Sequence, residues 1–175
     1  SDVYKRQEYL SIVGSLLHIC HVTRSDCMFA VGFLARHGSR PSLNHYEAAK
    51  NVVAFLYSTR HRAVQYVRDA SMAKGRIPYS FQDLANRLRM FVDADFAGTV
   101  ASARSTSGRV TFMNQGMVSA KSQLQKLVAL STSEAETIAL CESIKDALSL
   151  KLLCEELCLR PESELVPIHE DNVCL

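Results

Sequence analysis

This chain has no run of 18 consecutive apolar residues, no CxxC pair among its six cysteines, no tryptophan, and a net charge of only +2 over 175 residues. The first absence argues against a membrane-spanning helix, which needs about 20 apolar residues in a row. The opening residues SDVYKRQ lack the apolar core of a secretory leader, so an intracellular location is expected. Without CxxC spacing, Cys20, Cys27, Cys141, Cys154, Cys158 and Cys174 read as small apolar fillers in a reducing compartment rather than as metal ligands. His18, Cys20 and His21 lie close together, but their spacing does not suit a helical metal face.

The small net charge hides an asymmetry. Residues 1–90 carry 13 Lys and Arg against 6 Asp and Glu, whereas residues 91–175 carry 7 against 12. A basic half suits contact with a phosphate backbone, where each neutralised phosphate releases counterions. An acidic half suits cation binding, although both halves are also compatible with ordinary solvated surfaces.

Hydrophobic periodicity divides the chain. Leu10, Val13, Leu16, Leu17 and Ile19 recur at helical spacing within residues 8–21. A second helix follows to about His37, capped by Thr23 or Ser25, with Ala30, Phe33 and Leu34 turned inward. After the GSRPS break at 38–42, Ser42 or Asn44 caps a third helix with Ala48, Val52, Phe55 and Leu56 inward. Arg24, Arg36, Arg40, Lys50, Arg60 and Arg62 decorate this bundle. Val64 to Val67 reads as a short strand, and residues 68–87 have no steady period and read as a linker. Strands are then expected at Leu88–Asp93, Gly108–Met113 and Met117–Lys121, the last two joined through Asn114-Gln115-Gly116. Thr132 or Ser133 caps a long helix from about Glu134 to Leu157, with Ile138, Leu140, Ile144, Leu148, Leu152 and Leu153 inward, and a fourth strand runs from Val166 to Asp171.

Three acidic clusters stand out on this frame: FVDADFAG at 91–98, LSTSEAETIAL at 130–140 and PIHEDN at 167–172. They place Asp93 on a strand, Glu136 near a helix start and Asp171 at the end of a strand. Two divalent cations a few ångströms apart need such a nest of anionic oxygens, and Mg²⁺ accepts almost nothing else. Glu134 lies about 200° from Glu136 around the helix at ~100° per residue, and it reads as a capping charge. Asp95 shares the Asp93 face and reads as a turn cap.

The order FVDADFAG, RSTSGRVTFM, VALSTSEAETIAL and DN resembles the RNase H domain of copia-type LTR-retrotransposon Pol polyproteins. EYLSIVGSLLHICHVTRSDCMFAVGFLARH and HYEAAKNVVAFLYSTR resemble the stretch that precedes it, the thumb-like end of the reverse transcriptase. The resemblance implies an α/β (α+β) chain: a three-helix thumb-like bundle at 8–67, a linker at 68–87 and an RNase H-like mixed sheet with a long crossover helix at 88–175. It also implies that residues 1–7 lie outside the pattern, and that a fourth carboxylate with a further helix and strand follows Leu175, leaving the sheet incomplete.

The same resemblance makes Asp93, Glu136 and Asp171 the metal ligands and catalytic residues for two Mg²⁺ or Mn²⁺ ions. The substrate would be the RNA strand of an RNA–DNA hybrid, bound with the help of Arg24, Arg36, Arg40, Lys50, Arg60, Arg104, Ser105 and Thr106. The remaining Pol polyprotein would be the other partner, with no membrane, in a cytoplasmic virus-like particle or the nucleus. Phe96 and Ser149 stand where the family has tryptophan, Thr99 replaces an acidic residue, and Thr137 a tyrosine. Ser25 replaces a proline. These are packing or rim positions of a drifting copy. A catalytically inactive remnant that only grips nucleic acid, and a plain helical interaction module, are the competing readings.

Overall fold

In a computed structural model, residues 2–66, 88–99, 103–113, 116–159 and 165–170 are described. The chain forms two compact units, Ser1–Val64 and Gln65–Leu175. The described residues contain four α-helices and a four-stranded mixed sheet.

The first unit is helical. α1 spans Asp2–Val22, a 3-10 turn spans Ser25–Cys27, α2 spans Met28–Arg36 and α3 spans Leu43–Ser58. α1 therefore starts ahead of the expected residue 8. Thr23 and Ser25 do not cap α2. Its N-cap is Cys27, with no side-chain capping bond. Ser42 caps α3 as expected: its hydroxyl accepts from the His45 N–H, and His45 Nδ1 accepts from the Ser42 N–H at 3.1 Å. A backbone N–H can only donate, so His45 Nδ1 must be unprotonated in this box. The buried core is Tyr9, Val13, Leu16, Cys20, Cys27, Met28, Val31, Leu34 and Ala49. Leu10, Ile19, Ala30, Phe33 and Phe55, expected inside, are exposed. Val13, Leu16 and Leu34 are buried as expected, while Tyr9 rather than Leu10 enters the core, its hydroxyl donating to the Leu34 carbonyl at 2.7 Å. Burial pushes the Cys20 thiol up to about 11, which keeps it an inert filler.

In the second unit β1 spans Leu88–Thr99, β2 Arg104–Met113, β3 Gly116–Leu124, α4 Thr132–Glu156 and β4 Ile168–His169, in sheet order β3-β2-β1-β4. All three hairpin strands run longer than their apolar residues indicate. The expected strand at Val64–Val67 is absent from residues 64–66, and Val67, the linker 68–87 and Asn114-Gln115 lie outside the described residues. β1–β2 and β2–β3 pair antiparallel, whereas β1 and β4 pair parallel through Met90↔Ile168 and Phe91↔His169. α4 supplies the crossover that this parallel pair requires.

Alternation gives the sheet two faces. Met90, Val92 and Ala94 pack with Ala139 and Ala147 of α4, together with Ile168. Phe91 alternates to the other face, edge-on to Phe112 and stacked on His169 at 4.9 Å. Ser131 caps α4, accepting from the Glu134 N–H at 3.1 Å, while Glu134 accepts from the Leu130 N–H. The cap thus lies one residue before the expected Thr132 or Ser133.

The buried stripe of α4 corrects the expectation more deeply. It consists of Ala135, Ala139, Ser143, Ala147 and Cys154, and Ile144, Leu148, Leu152 and Leu153 are exposed. Small residues at i+4 steps form one shallow ridge that a sheet can approach closely. Large side chains there would hold the helix away. Across this seam Asp146 accepts from Arg109 Nε at 2.5 Å and from Lys121 Nζ at 2.8 Å. Arg109 and Lys121 are register partners on β2 and β3, so one carboxylate ties α4 to two strands.

Two outcomes follow from this seam. Ala139→Leu overpacks it and should cost about 1–3 kcal/mol, whereas Leu148→Ala should change stability by less than ~0.5 kcal/mol, both read by urea unfolding. The Asp146 carboxyl is held low: burial opposes this, but hydrogen bonds from Lys121 and Arg109 outweigh it. A depressed folded value means that the stabilisation is complete above the ordinary carboxylate range near ~4 and is lost as pH falls through the folded value. Asp146→Asn, which strands the buried Arg109 guanidinium, should cost about 3 kcal/mol at neutral pH. Wild-type and variant unfolding midpoints should converge in acid. Equal midpoints at pH 7 would show that the tie carries no stability.

Candidate metal centre

Asp93 is exposed on β1, on the opposite face from Val92 and Ala94 and so away from the α4 layer. Its partner across β2 is Gly108, which has no side chain to screen the carboxylate. No described residue hydrogen-bonds or ion-pairs with it. An open, unpaired carboxylate of this kind has the hard oxygen donors that suit Mg²⁺. Beyond Asp95 the ladder is irregular: β1 spends four residues from Asp95 to Thr99 where β2 spends two from Thr106 to Arg104. The extra residues form a bulge in which Ala97 has φ 50° and its N–H donates to Ser105 Oγ at 3.2 Å. A side chain at Gly98 would fall on the Asp95 carboxylate. Bulges of this kind re-aim side chains at strand ends.

Glu136 is half-buried in the first turns of α4. Those turns are positioned by Gln125, whose amide nitrogen donates to the Ala135 carbonyl at 2.7 Å and to Ser107 Oγ at 2.9 Å. Ser107 is the register partner of Ala94. Asp93 and Glu136 therefore belong to the same end of the β1–α4 layer, one on the strand and one on the helix. Asp171 lies outside the described residues, two positions beyond His169. Among the described residues, no group of three or more His, Cys, Asp or Glu side chains is gathered for a metal.

The expected nucleic-acid contacts fall into two groups. Arg40, Lys50 and Arg60 are exposed. Lys50 pairs with Glu47 at 3.4 Å, and the Arg60 guanidinium lies over the Tyr57 ring. Arg36 is half-buried, and burial lowers its pKa. Arg24 is a correction: it is 6% exposed, paired with Asp26 at 2.8 and 2.9 Å, and donates to the Thr59 carbonyl and hydroxyl. It fastens the end of α1 to the end of α3 instead of facing solvent, because Asp26 two residues on supplies the counter-charge that burial requires. Ser105 and Thr106 are likewise buried, at 0% and 4% exposure, while Arg104 is half-buried. The RSTSG run is part of the ladder beside the bulge, with Ser105 serving its backbone. Sequence reasoning missed Gln125 and Asp146, which position α4. Gln125 lies between Leu124 and Lys126 and Asp146 between Lys145 and Ala147, so neither carries a local signal of burial.

No protein-family model and no solved structure matches the chain. It is 40% identical over 146 residues to secreted RxLR effector protein 161 of Plasmopara viticola, covering 83% of this chain and 93% of that protein. It is 34% identical over 158 residues to the retrovirus-related Pol polyprotein from transposon TNT 1-94 of Nicotiana tabacum, covering 90% of this chain but 11% of the polyprotein. Against the corresponding polyprotein from transposon RE1 of Arabidopsis thaliana it is 28% identical over 166 residues, covering 95% of this chain and 10% of that one. The chain belongs to the family of the Plasmopara viticola protein and is homologous, over most of its length, to a short segment of retrotransposon Pol polyproteins.

Proposed function

We propose that this segment is the RNase H-type part of a copia-type Pol polyprotein, preceded by the thumb-like end of its reverse transcriptase, and that it hydrolyses the RNA strand of RNA–DNA hybrids. Asp93, Glu136 and Asp171 would hold two Mg²⁺ or Mn²⁺ ions, which supply an activated water and a stabilised leaving 3′ oxygen. The observation that carries this reading is the register of the parallel pair. Phe91 and His169 are partners on adjacent strands. Asp93 follows the first by two residues and Asp171 follows the second by two. Under this reading the pairing would continue past His169 and Asp171 would stand level with Asp93. Glu136 would have to reach them around the end of β1, because Asp93 stands on the face away from α4. Selection of the RNA strand would rest on its 2′-hydroxyls, readable across the shallow minor groove. The remainder of the polyprotein would be the working partner, inside the cell.

A second reading, binding without cleavage, draws on Arg40, Lys50 and Arg60, each of them exposed in the first unit. One experiment separates the two: a labelled hybrid is incubated with Mg²⁺ or Mn²⁺ and either this chain or a polyprotein segment extending beyond it. Metal-dependent cleavage should disappear in Asp93→Asn while circular dichroism stays unchanged. Cleavage that survives Asp93→Asn would refute the centre. Binding that weakens steeply with salt, without cleavage at either metal, would favour the second reading.

A further inference from the structure

The sheet ends at β3, and among the described residues no strand or helix lies beyond it in the order β3-β2-β1-β4. One bond shows which of its backbone groups face outward. The Gln125 N–H donates to the Ser105 carbonyl at 2.9 Å, so Gln125 faces β2. In an antiparallel ladder each residue turns its N–H and C=O to the same side, and successive residues alternate. The register Thr106↔Leu124, Ser107↔Gln123, Gly108↔Ser122, Arg109↔Lys121 and Val110↔Ala120 continues from that bond. Gln123 and Lys121 therefore face β2 as well, while Leu124, Ser122 and Ala120 turn their N–H and C=O outward. Below Ser119 the ladder slips, because β3 passes from Ser119 to Met117 while β2 passes only from Thr111 to Phe112. The regular part of the edge is thus centred on Ser122.

Open edges are ordinarily guarded by proline, by lysine or by a covering element. β3, with the sequence GMVSAKSQL, has no proline. Its charged residue, Lys121, is drawn onto the Asp146 carboxylate at 2.8 Å, which neutralises it. Tyr66 donates its hydroxyl to the Met117 carbonyl at 2.6 Å, so it serves only the irregular end of the strand. The edge is also self-complementary. With a two-fold axis at Ser122, an antiparallel second copy sets Ser122 against its own equivalent, Ala120 against Leu124 and Lys121 against Gln123. Serine meets serine, an apolar side chain meets an apolar one, and no like charges stand opposite each other.

We propose that β3 is a self-association edge, on which a second copy of this chain pairs its own β3 antiparallel about a two-fold axis at Ser122. The outward N–H and C=O groups of Ala120, Ser122 and Leu124 then bond across the axis, and the two four-stranded sheets join into one. The self-complementary register favours a second copy over an unrelated extended segment. Such a contact uses the same surface on both partners, so it closes as a dimer and does not propagate. Pairing along one short edge is a small interface, and the dimer dissociates on dilution. It uses neither the Asp93 carboxylate nor the exposed cations of the first unit, and so does not depend on hydrolysis of hybrids.

Sedimentation velocity of the full chain over a dilution series tests the proposal. The wild type should pass from dimer to monomer on dilution. Ser122→Pro removes an N–H that the β2 ladder does not use, so circular dichroism should stay unchanged. The same change should raise the dimer Kd by about tenfold or more, since the bonds on the axis are lost. Ser122→Lys and Ser122→Glu each set like charges face to face on the axis and should be monomeric alone, yet an equal mixture of the two should restore the dimer. If Ser122→Pro loses its fold, the charge variants decide. A wild type that stays monomeric at every concentration would overturn the proposal and leave the edge to an extended segment of another protein. A dimer that survives Ser122→Pro, or Ser122→Lys and Ser122→Glu chains that fail to recombine, would overturn it too, by placing the contact on another surface.

Discussion

How closely α4 can lie on the sheet is set by Ala135, Ala139, Ser143 and Ala147, and the carboxylate end of β1 depends on that closeness. Only with small residues on the seam can Gln125 reach both Ser107 on β2 and the Ala135 carbonyl on the helix. Only then does the first turn of α4, through Ala135 and Gln125, meet the Ala94–Ser107 end of the sheet. Burial of apolar area alone does not specify this arrangement, because the α4 leucines on the outer side would bury more area if the helix rolled over. The polar tie decides the roll. Asp146 accepts from Arg109 and Lys121, and a rolled helix would leave the Arg109 guanidinium, nearly buried, with no counter-charge.

The same logic holds in the helical unit. Arg24 crosses from the end of α1 to Thr59 after α3, and its guanidinium is satisfied by Asp26 and by two oxygens of Thr59. Tyr9 is admitted to the core by one hydrogen bond to Leu34. In both units, helix orientation is chosen by a few buried polar groups, while the apolar residues around them tolerate more than one arrangement.

This explains which parts of the fold are legible in the sequence. The apolar run of Leu88, Met90, Phe91 and Val92 reveals a strand, and Ser42 reveals a helix start, because both are local signals. The long α4 and the strand after it imply the parallel return beside β1 through handedness and connection length. Helix faces are less legible. Counting apolar residues favours Ile144 and Leu148 over Ala139 and Ala147, but the seam rewards small volume rather than hydrophobicity. Arg24, Ser105 and Thr106 read as surface groups because composition places such residues outside. Each is inside because a particular partner or ladder position receives it, and those partners are visible only in three dimensions. The carboxylates are legible as an ordered set of motifs, whereas the outward groups of the β3 edge become visible only once the β2–β3 register is known.

The pairing of β4 with β1 also has a consequence in time. Met90 and Ile168 are about 80 residues apart in sequence, and so distant a contact forms late in folding because its loop-closure entropy must be met first. The β1–β2–β3 meander and α4 are local by comparison. A chain leaving the ribosome would therefore have its hairpins and crossover helix in place while the last strand was still to dock. The free edge of β1 would stay open until β4 arrives, with the β2 ladder on its other side already formed.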